Sequence, residues 1–78
     1  MRKNNYELLI VSSPEREKVY CEIYYEGRIL GEISQEENKL LLEIYSYPIN
    51  NKWRQVSLEE FQEILELGKK HLLGKLRG

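Results

Sequence analysis

Two glutamates, Glu22 and Glu43, are the first residues to weigh for chemistry, because a pair of carboxylates can divide general-acid and general-base roles across a scissile bond. Both lie in alternating, strand-like segments, which place them on an open sheet face with no pocket to hold one of them protonated. The chain has one cysteine and one histidine. Cys21 and His71 are therefore the one candidate pairing of nucleophile and base. Cys21 alternates with Val19 and Ile23, the pattern of a buried structural thiol, and His71 falls near the end of a helix, where a cation offsets the helix dipole. One Cys and one His do not make a zinc site. Gly27 and Gly31 belong to a hairpin, not to a phosphate-binding loop. The expectation is a protein that is not an enzyme and carries no cofactor or metal.

The chain has 78 residues, a length for a single domain spanning 1–78 with one modest core, and a net charge of −1. All thirteen acids are glutamates. Residues 6–47 hold nine of them against Arg16, Lys18, Arg28 and Lys39, a net −5, whereas residues 48–78 are +2. That balance argues against a nucleic-acid binder. Lys69, Lys70, Lys75 and Arg77 read as helix-end compensation. The lone cysteine excludes an internal disulfide and points to a reducing compartment. Met1 to Asn5, polar and expected to fray, lead into an apolar run too short for a signal peptide core or a membrane span. A cytoplasmic location is expected.

The elements that position these residues start with Val56 to Gly74. Ser57 and Glu60 form an S-x-x-E capping box, Val56 and Phe61 fit a hydrophobic staple, and Gly74 suits a helix stop. A helix over 58–73 is predicted. Leu58, Phe61, Ile64, Leu65, Gly68, Leu72 and Leu76 share one side at 100° per residue. Gly68 in that stripe costs roughly 1 kcal/mol of helix propensity, so a close approach to another backbone is expected there.

Before the helix, strands are predicted over 6–12, 18–24, 29–34 and 39–47, with a turn at Ser13-Pro14-Glu15-Arg16. Pro48 to Gln55 reads either as a turn into a fifth strand over 52–56 or as an irregular crossover. Trp53 is then a lid on the core edge or an exposed contact. A three-residue loop at Tyr25-Glu26-Gly27 pairs Ile23 with Ile29 and Val19 with Ile33. Four-residue turns at 35–38 and 13–16 pair Ile33 with Leu40, Ile29 with Ile44, Ile10 with Val19 and Leu8 with Cys21. All three hairpins then share one apolar face. The fold class is α+β, an antiparallel meander of four or five strands with one C-terminal helix on one face. The expected core is Leu8, Ile10, Val19, Cys21, Ile23, Ile29, Ile33, Leu40, Leu42 and Ile44 against Leu58, Phe61, Ile64, Leu65 and Leu72.

One helix covers one face. The other collects Glu7, Leu9, Val11, Tyr20, Glu22, Tyr24, Arg28, Leu30, Glu32, Leu41, Glu43, Tyr45 and Tyr47. In the chosen register Glu22, Leu30 and Glu43 form one row, and Tyr24, Arg28 and Tyr45 another in which Arg28 stacks on both rings. Such a face is either simply solvated or an acidic, tyrosine-rich docking surface. Tyrosine platforms that stack nucleic-acid bases need cationic neighbours, and these neighbours are glutamates.

The run YELLIVSSPEREKVYCEIYYEGRILGEISQE, a fourth strand and then VSLEEFQEILELGKKHLL resembles small single-domain bacterial proteins of uncharacterised or immunity-like type. The resemblance implies an inhibitor whose partner is a toxin or nuclease with a basic surface. The residues themselves suggest a module that binds another protein through Tyr20, Glu22, Tyr24, Arg28, Leu30, Glu32, Leu41, Glu43, Tyr45 and Tyr47. A homodimer that pairs its open faces is the alternative, and nucleic-acid binding a second.

Overall fold

The computed structural model describes residues 2–3, 5–45 and 55–77. It contains strands β1 (Arg2–Lys3), β2 (Tyr6–Val11), β3 (Tyr20–Tyr25), β4 (Arg28–Glu36) and β5 (Lys39–Ile44), followed by helix α1 (Leu58–Arg77). The strands lie in chain order, each antiparallel to the next. The α+β meander with a C-terminal helix is as expected, but its fifth strand is at the N-terminal edge. β1, in the segment expected to fray, pairs with β2. Lys52–Arg54 of the candidate fifth strand, with Tyr47, Pro48 and Trp53, lie outside the described residues, and Gln55 and Val56 are irregular.

Each hairpin departs from the expected register; β2–β3 and β4–β5 keep their faces, whereas Arg28, Ile29 and Leu30 at the start of β4 change theirs. β2 meets β3 with Leu8 opposite Ile23 and Ile10 opposite Cys21, a shift of two that leaves Ser12–Val19 as a long loop. The Ser13 turn is present: the Arg16 amide donates to the Ser13 carbonyl (3.1 Å), and the Glu15 amide to Ser13 Oγ (3.3 Å). β5 meets β4 through a two-residue turn at Glu37-Asn38, so Ile33 faces Leu42 and Gly31 faces Ile44. Strand alternation has period two, so a shift of two residues leaves every side chain on its own face.

Between β3 and β4 the turn is Glu26-Gly27, with φ of 51° and 80°, the positive pair that a tight type I′ hairpin requires. A two-residue turn alone would invert the faces beyond it. The chain restores them with a bulge: Tyr24 faces Ile29 and Ile23 faces Gly31, so Leu30 is the extra residue. The expected bulge at Gly27 is thereby replaced by one at Leu30.

α1 lies across β2, β3 and β4. Leu8, Cys21, Ile23, Ile33, Ile64 and Leu72 form the centre of the core, joined by Tyr6, Tyr25 and Leu30, with Ile10, Val19, Val56, Phe61, Leu65 and Leu76 packed around it. Because the helix does not reach β5, Leu40, Leu42 and Ile44, expected in the core, are exposed, as is Leu58 at 71%. Ile29 lies opposite Tyr24 and outside the buried core. The close approach at Gly68 is to side chains, not backbone: an added Cβ would lie 2.8 Å from Ile33 Cδ1 and 3.8 Å from Cys21 Sγ. The helix also runs through Gly74 to Arg77.

Two tyrosines clamp the helix to the sheet. Tyr6 and Tyr25 face each other across β2 and β3. Tyr6 donates to Glu63 Oε1 (2.6 Å), and Tyr25 to Glu60 Oε1 (2.8 Å). Half of the capping box forms, with the Glu60 amide donating to Ser57 Oγ (3.3 Å). Glu60 gives its carboxylate to Tyr25, whose hydroxyl accepts instead from the Ser57 amide (3.5 Å).

Burial, reinforced by the bond to Glu63, pushes the Tyr6 hydroxyl up to about 12. The bond to Glu60 raises Tyr25. A phenol raised in the folded state contributes stability that is intact below pH 10 and is lost between about 10 and 12, where the unfolded chain ionises first. The thermal midpoint is therefore expected to hold to pH 9 and fall steeply above 10. Tyr6→Phe should cost ~1 kcal/mol at neutral pH and flatten part of that alkaline slope. Urea titrations at pH 7, 10 and 11 check both, and a slope unchanged by the substitution would show that Tyr6 is not held as described.

Candidate functional site

The face opposite the helix carries a row across four strands: Leu9, Glu22, Glu32 and Glu43 stand side by side in β2, β3, β4 and β5. Three carboxylates in register repel one another, since like charges directly opposite on a sheet destabilise it. The row survives because each carboxylate is handled differently.

Glu32, in the middle, is 2% exposed. The long Ser12–Val19 loop folds back over the face and sets Arg16 on it. Arg16 grips both carboxylate oxygens, Nη1 to Oε2 at 2.6 Å and Nη2 to Oε1 at 2.9 Å. This bidentate geometry is the strongest pairing available to a carboxylate. Tyr45 adds a third bond from its hydroxyl to Oε1 (2.9 Å). The guanidinium also lies over the Tyr20 ring, 3.9 Å from its centroid, a cation–π contact. The Arg16 bonds pull Glu32 down to about 2. Burial and the bond to Glu32 push the Tyr45 hydroxyl up to about 12.

Glu22 accepts from the Tyr24 hydroxyl (3.2 Å). Glu43 is exposed, and its hydrogen bond to Glu32, reinforced by the neighbouring charge, raises its carboxyl above the ordinary range. Leu9 (37% exposed) lies at one end of the row, and Leu41 (43%) lies on β5 beside Glu43. A cleft of roughly 400 Å³ opens between the loop and the end of β4, lined by Glu15, Glu17, Lys18, Tyr20, Gln35 and Glu36 among others.

Of the residues singled out in the sequence, Tyr20, Glu22, Tyr24, Glu32, Leu41, Glu43 and Tyr45 are brought to this face or its rim. Leu30 is not: as the bulge residue it is 5% exposed and belongs to the core. Glu32 takes its place between Glu22 and Glu43. Arg28 sits beside the turn opposite Tyr25 on the helix side, so the Tyr24–Arg28–Tyr45 row does not form. Tyr47 lies outside the described residues. Arg16, assigned only to a turn, is the residue that sequence reasoning missed. The expected register holds no signal for it, since it sets Leu30 rather than Glu32 between Glu22 and Glu43; only the observed row of three glutamates calls for a cation close by.

Cys21 is buried in the core, and burial pushes its thiol up to about 11, which leaves it a poor nucleophile at neutral pH. Among the described residues no group of three or more His, Cys, Asp or Glu could hold a metal ion, and no helix is long and apolar enough to cross a membrane. The chain matches no protein-family model, no curated protein and no solved structure.

Proposed function

We propose that the protein is a non-enzymatic protein-binding module, an inhibitor or immunity-type protein that docks the face opposite its helix on a basic surface of another protein and occludes it. The observation that carries this reading is the Glu22–Glu32–Glu43 row. Arg16 is committed to the buried central member, and the outer two remain available to cations of a partner. Glu43 is poised for this role, because its carboxylate is disfavoured beside Glu32 and a partner's arginine or lysine would relieve that repulsion. Leu9 and Leu41 supply apolar area, and Tyr20, Tyr24 and Tyr45 supply rigid rings of the kind enriched at interfaces. The same charge row weighs against the two other readings. Two copies face to face would oppose carboxylates to carboxylates, and a phosphate backbone would meet the same repulsion.

The test is affinity capture from the source organism, followed by measured binding of the recovered partner to the Glu22→Lys/Glu43→Lys double variant. Dissociation constants are expected to rise by about a hundredfold, on the scale of ~1.4 kcal/mol per tenfold step, with the thermal midpoint nearly unmoved. Unchanged binding to a partner that competes with no other face of the protein overturns the assignment.

A further inference from the structure

The two edges of the sheet are built in opposite ways. β1 is two residues long, Arg2–Lys3, short and basic. Those are devices by which proteins keep a sheet edge from pairing with another chain. β5 has neither. It is six residues long and pairs with β4 without a register break. Its Leu40, Leu41, Leu42 and Ile44 are 38, 43, 42 and 60% exposed. Among the described residues no strand lies on its outer side.

The phase of that edge is fixed. The Tyr45 amide donates inward to the Leu30 carbonyl (2.9 Å). In an antiparallel ladder, successive residues direct their peptide groups to opposite sides. Lys39, Leu41 and Glu43 therefore face β4, and Leu40, Leu42 and Ile44 present their N–H and C=O groups outward. An incoming strand must offer the same period of outward groups, apolar side chains on both faces and charges that match Lys39 and Glu43. β5 of a second copy offers all three.

The geometry points to a homodimer in which β5 pairs antiparallel with β5 of a second copy about a two-fold axis at Leu41, making one continuous ten-stranded sheet. Outward groups must oppose outward groups, so only registers centred on Leu40, Leu41 or Leu42 use the body of the strand. Centring on Leu40 sets Glu43 against Glu37 of the second copy, two like charges. Centring on Leu42 sets Glu43 against Leu41 and leaves it unpaired. Centring on Leu41 sets Lys39 against Glu43 of the second copy, twice by symmetry, and Leu40 against Leu42 on the helix side. Residues directly opposite lie on the same face, so both helices cover one side and the two acidic rows become coplanar on the other. The pairing also supplies a cation to Glu43, one of the two members of the row that Arg16 does not reach. This dimer does not rest on the docking reading above, although it engages Glu43, and it differs from a face-to-face pair, since Glu22 and the rest of both acidic faces stay open.

Sedimentation velocity of the full chain from 1 to 500 µM is the experiment, with Lys39→Glu and Glu43→Lys run separately and mixed. The parent is expected to dimerise. Each single variant brings two like-charge pairs together and should weaken self-association at least tenfold, with folding monitored by circular dichroism. An equimolar mixture restores opposite charges at both positions and should give a 1:1 heterodimer. Amide exchange provides a second readout: Leu40 and Leu42 should gain protection as concentration rises. A parent that stays monomeric at 500 µM, or a dimer that both single variants leave intact, overturns the proposal. Lys39→Glu alters the dimer seam without touching the carboxylate row, and Glu22→Lys alters the row without touching the seam, so failure of one proposal is distinguishable from failure of the other.

Discussion

Gly31→Ala is expected to unpair β5 from β4 and to cost ~2–4 kcal/mol, a large part of the roughly 4–12 kcal/mol that holds a chain of this length folded. Gly31 faces Ile44 across the ladder. A Cβ there would overlap the backbone carbonyl oxygen of Glu43 and come within 3.2 Å of the Glu43 carbonyl carbon and Ile44 Cα. Backbone atoms in a ladder cannot yield one at a time, so the strand must move as a unit. Glu43 moves with it, and both the carboxylate row and the β5 edge are lost. Gly68→Ala is the control. Its Cβ would meet Ile33 Cδ1, the end of a side chain that can turn away, and alanine returns about 1 kcal/mol of helix propensity. Its net effect should lie within ~1 kcal/mol of zero. Urea unfolding of both variants, with amide spectra of β5, checks the ranking. A Gly31→Ala protein as stable as the parent would show that β5 does not pack on β4 as described.

The contrast between these glycines shows what a single sequence discloses. The Gly68 stripe announces itself by helical periodicity, and the Ser57 cap by residue type. The face of each strand follows from alternation, which is why Glu22 and Glu43 are placed on the same surface by sequence and structure alike. Register is another matter. A shift of two residues preserves alternation, so nothing in the pattern separates Leu8–Cys21 from the actual Leu8–Ile23 pairing. The tight turn at Glu26-Gly27 looks wrong on alternation alone, because its parity is repaired further along by Leu30. Where the helix lies across the sheet is likewise not periodic information. Leu40, Leu42 and Ile44 carry the core pattern, yet α1 stops at β4. Tyr6 and Tyr25 enter the core because their hydroxyls find Glu63 and Glu60 on the helix, partners more than thirty residues away. Arg16 reaches Glu32 for the same reason: the loop that shifts the register is also long enough to fold over the face.

That loop carries the second large effect. Arg16→Ala should strand Glu32, 2% exposed, with a single hydroxyl from Tyr45 and a glutamate on either side. A buried carboxylate deprived of its cation costs ~3 kcal/mol or more. In the parent, Glu32 is lowered from 4.5 to about 2 by its Arg16 bonds. It therefore contributes stability that is present above pH 4.5 and is lost as pH falls toward 2. Glu43 is shifted upward by its hydrogen bond to Glu32, so on acidification it takes up its proton before Glu32 does, and the repulsion between them is relieved first. Without Arg16 both carboxyls are raised, and acidification becomes stabilising. The deficit of the variant relative to the parent is thus expected to be largest at pH 7 and to narrow steadily as pH falls toward 2, and Glu32→Gln placed on top of Arg16→Ala should recover most of it at pH 7. Urea midpoints across that pH range decide the matter. A deficit that is constant with pH, or that the amide fails to repair, would mean that Arg16 acts by packing on Tyr20 rather than by charge. If the row is the docking surface, the same substitution leaves one more negative charge unneutralised, so binding to a basic partner should strengthen while stability falls. No role confined to folding predicts that divergence, because a loosened fold weakens both together.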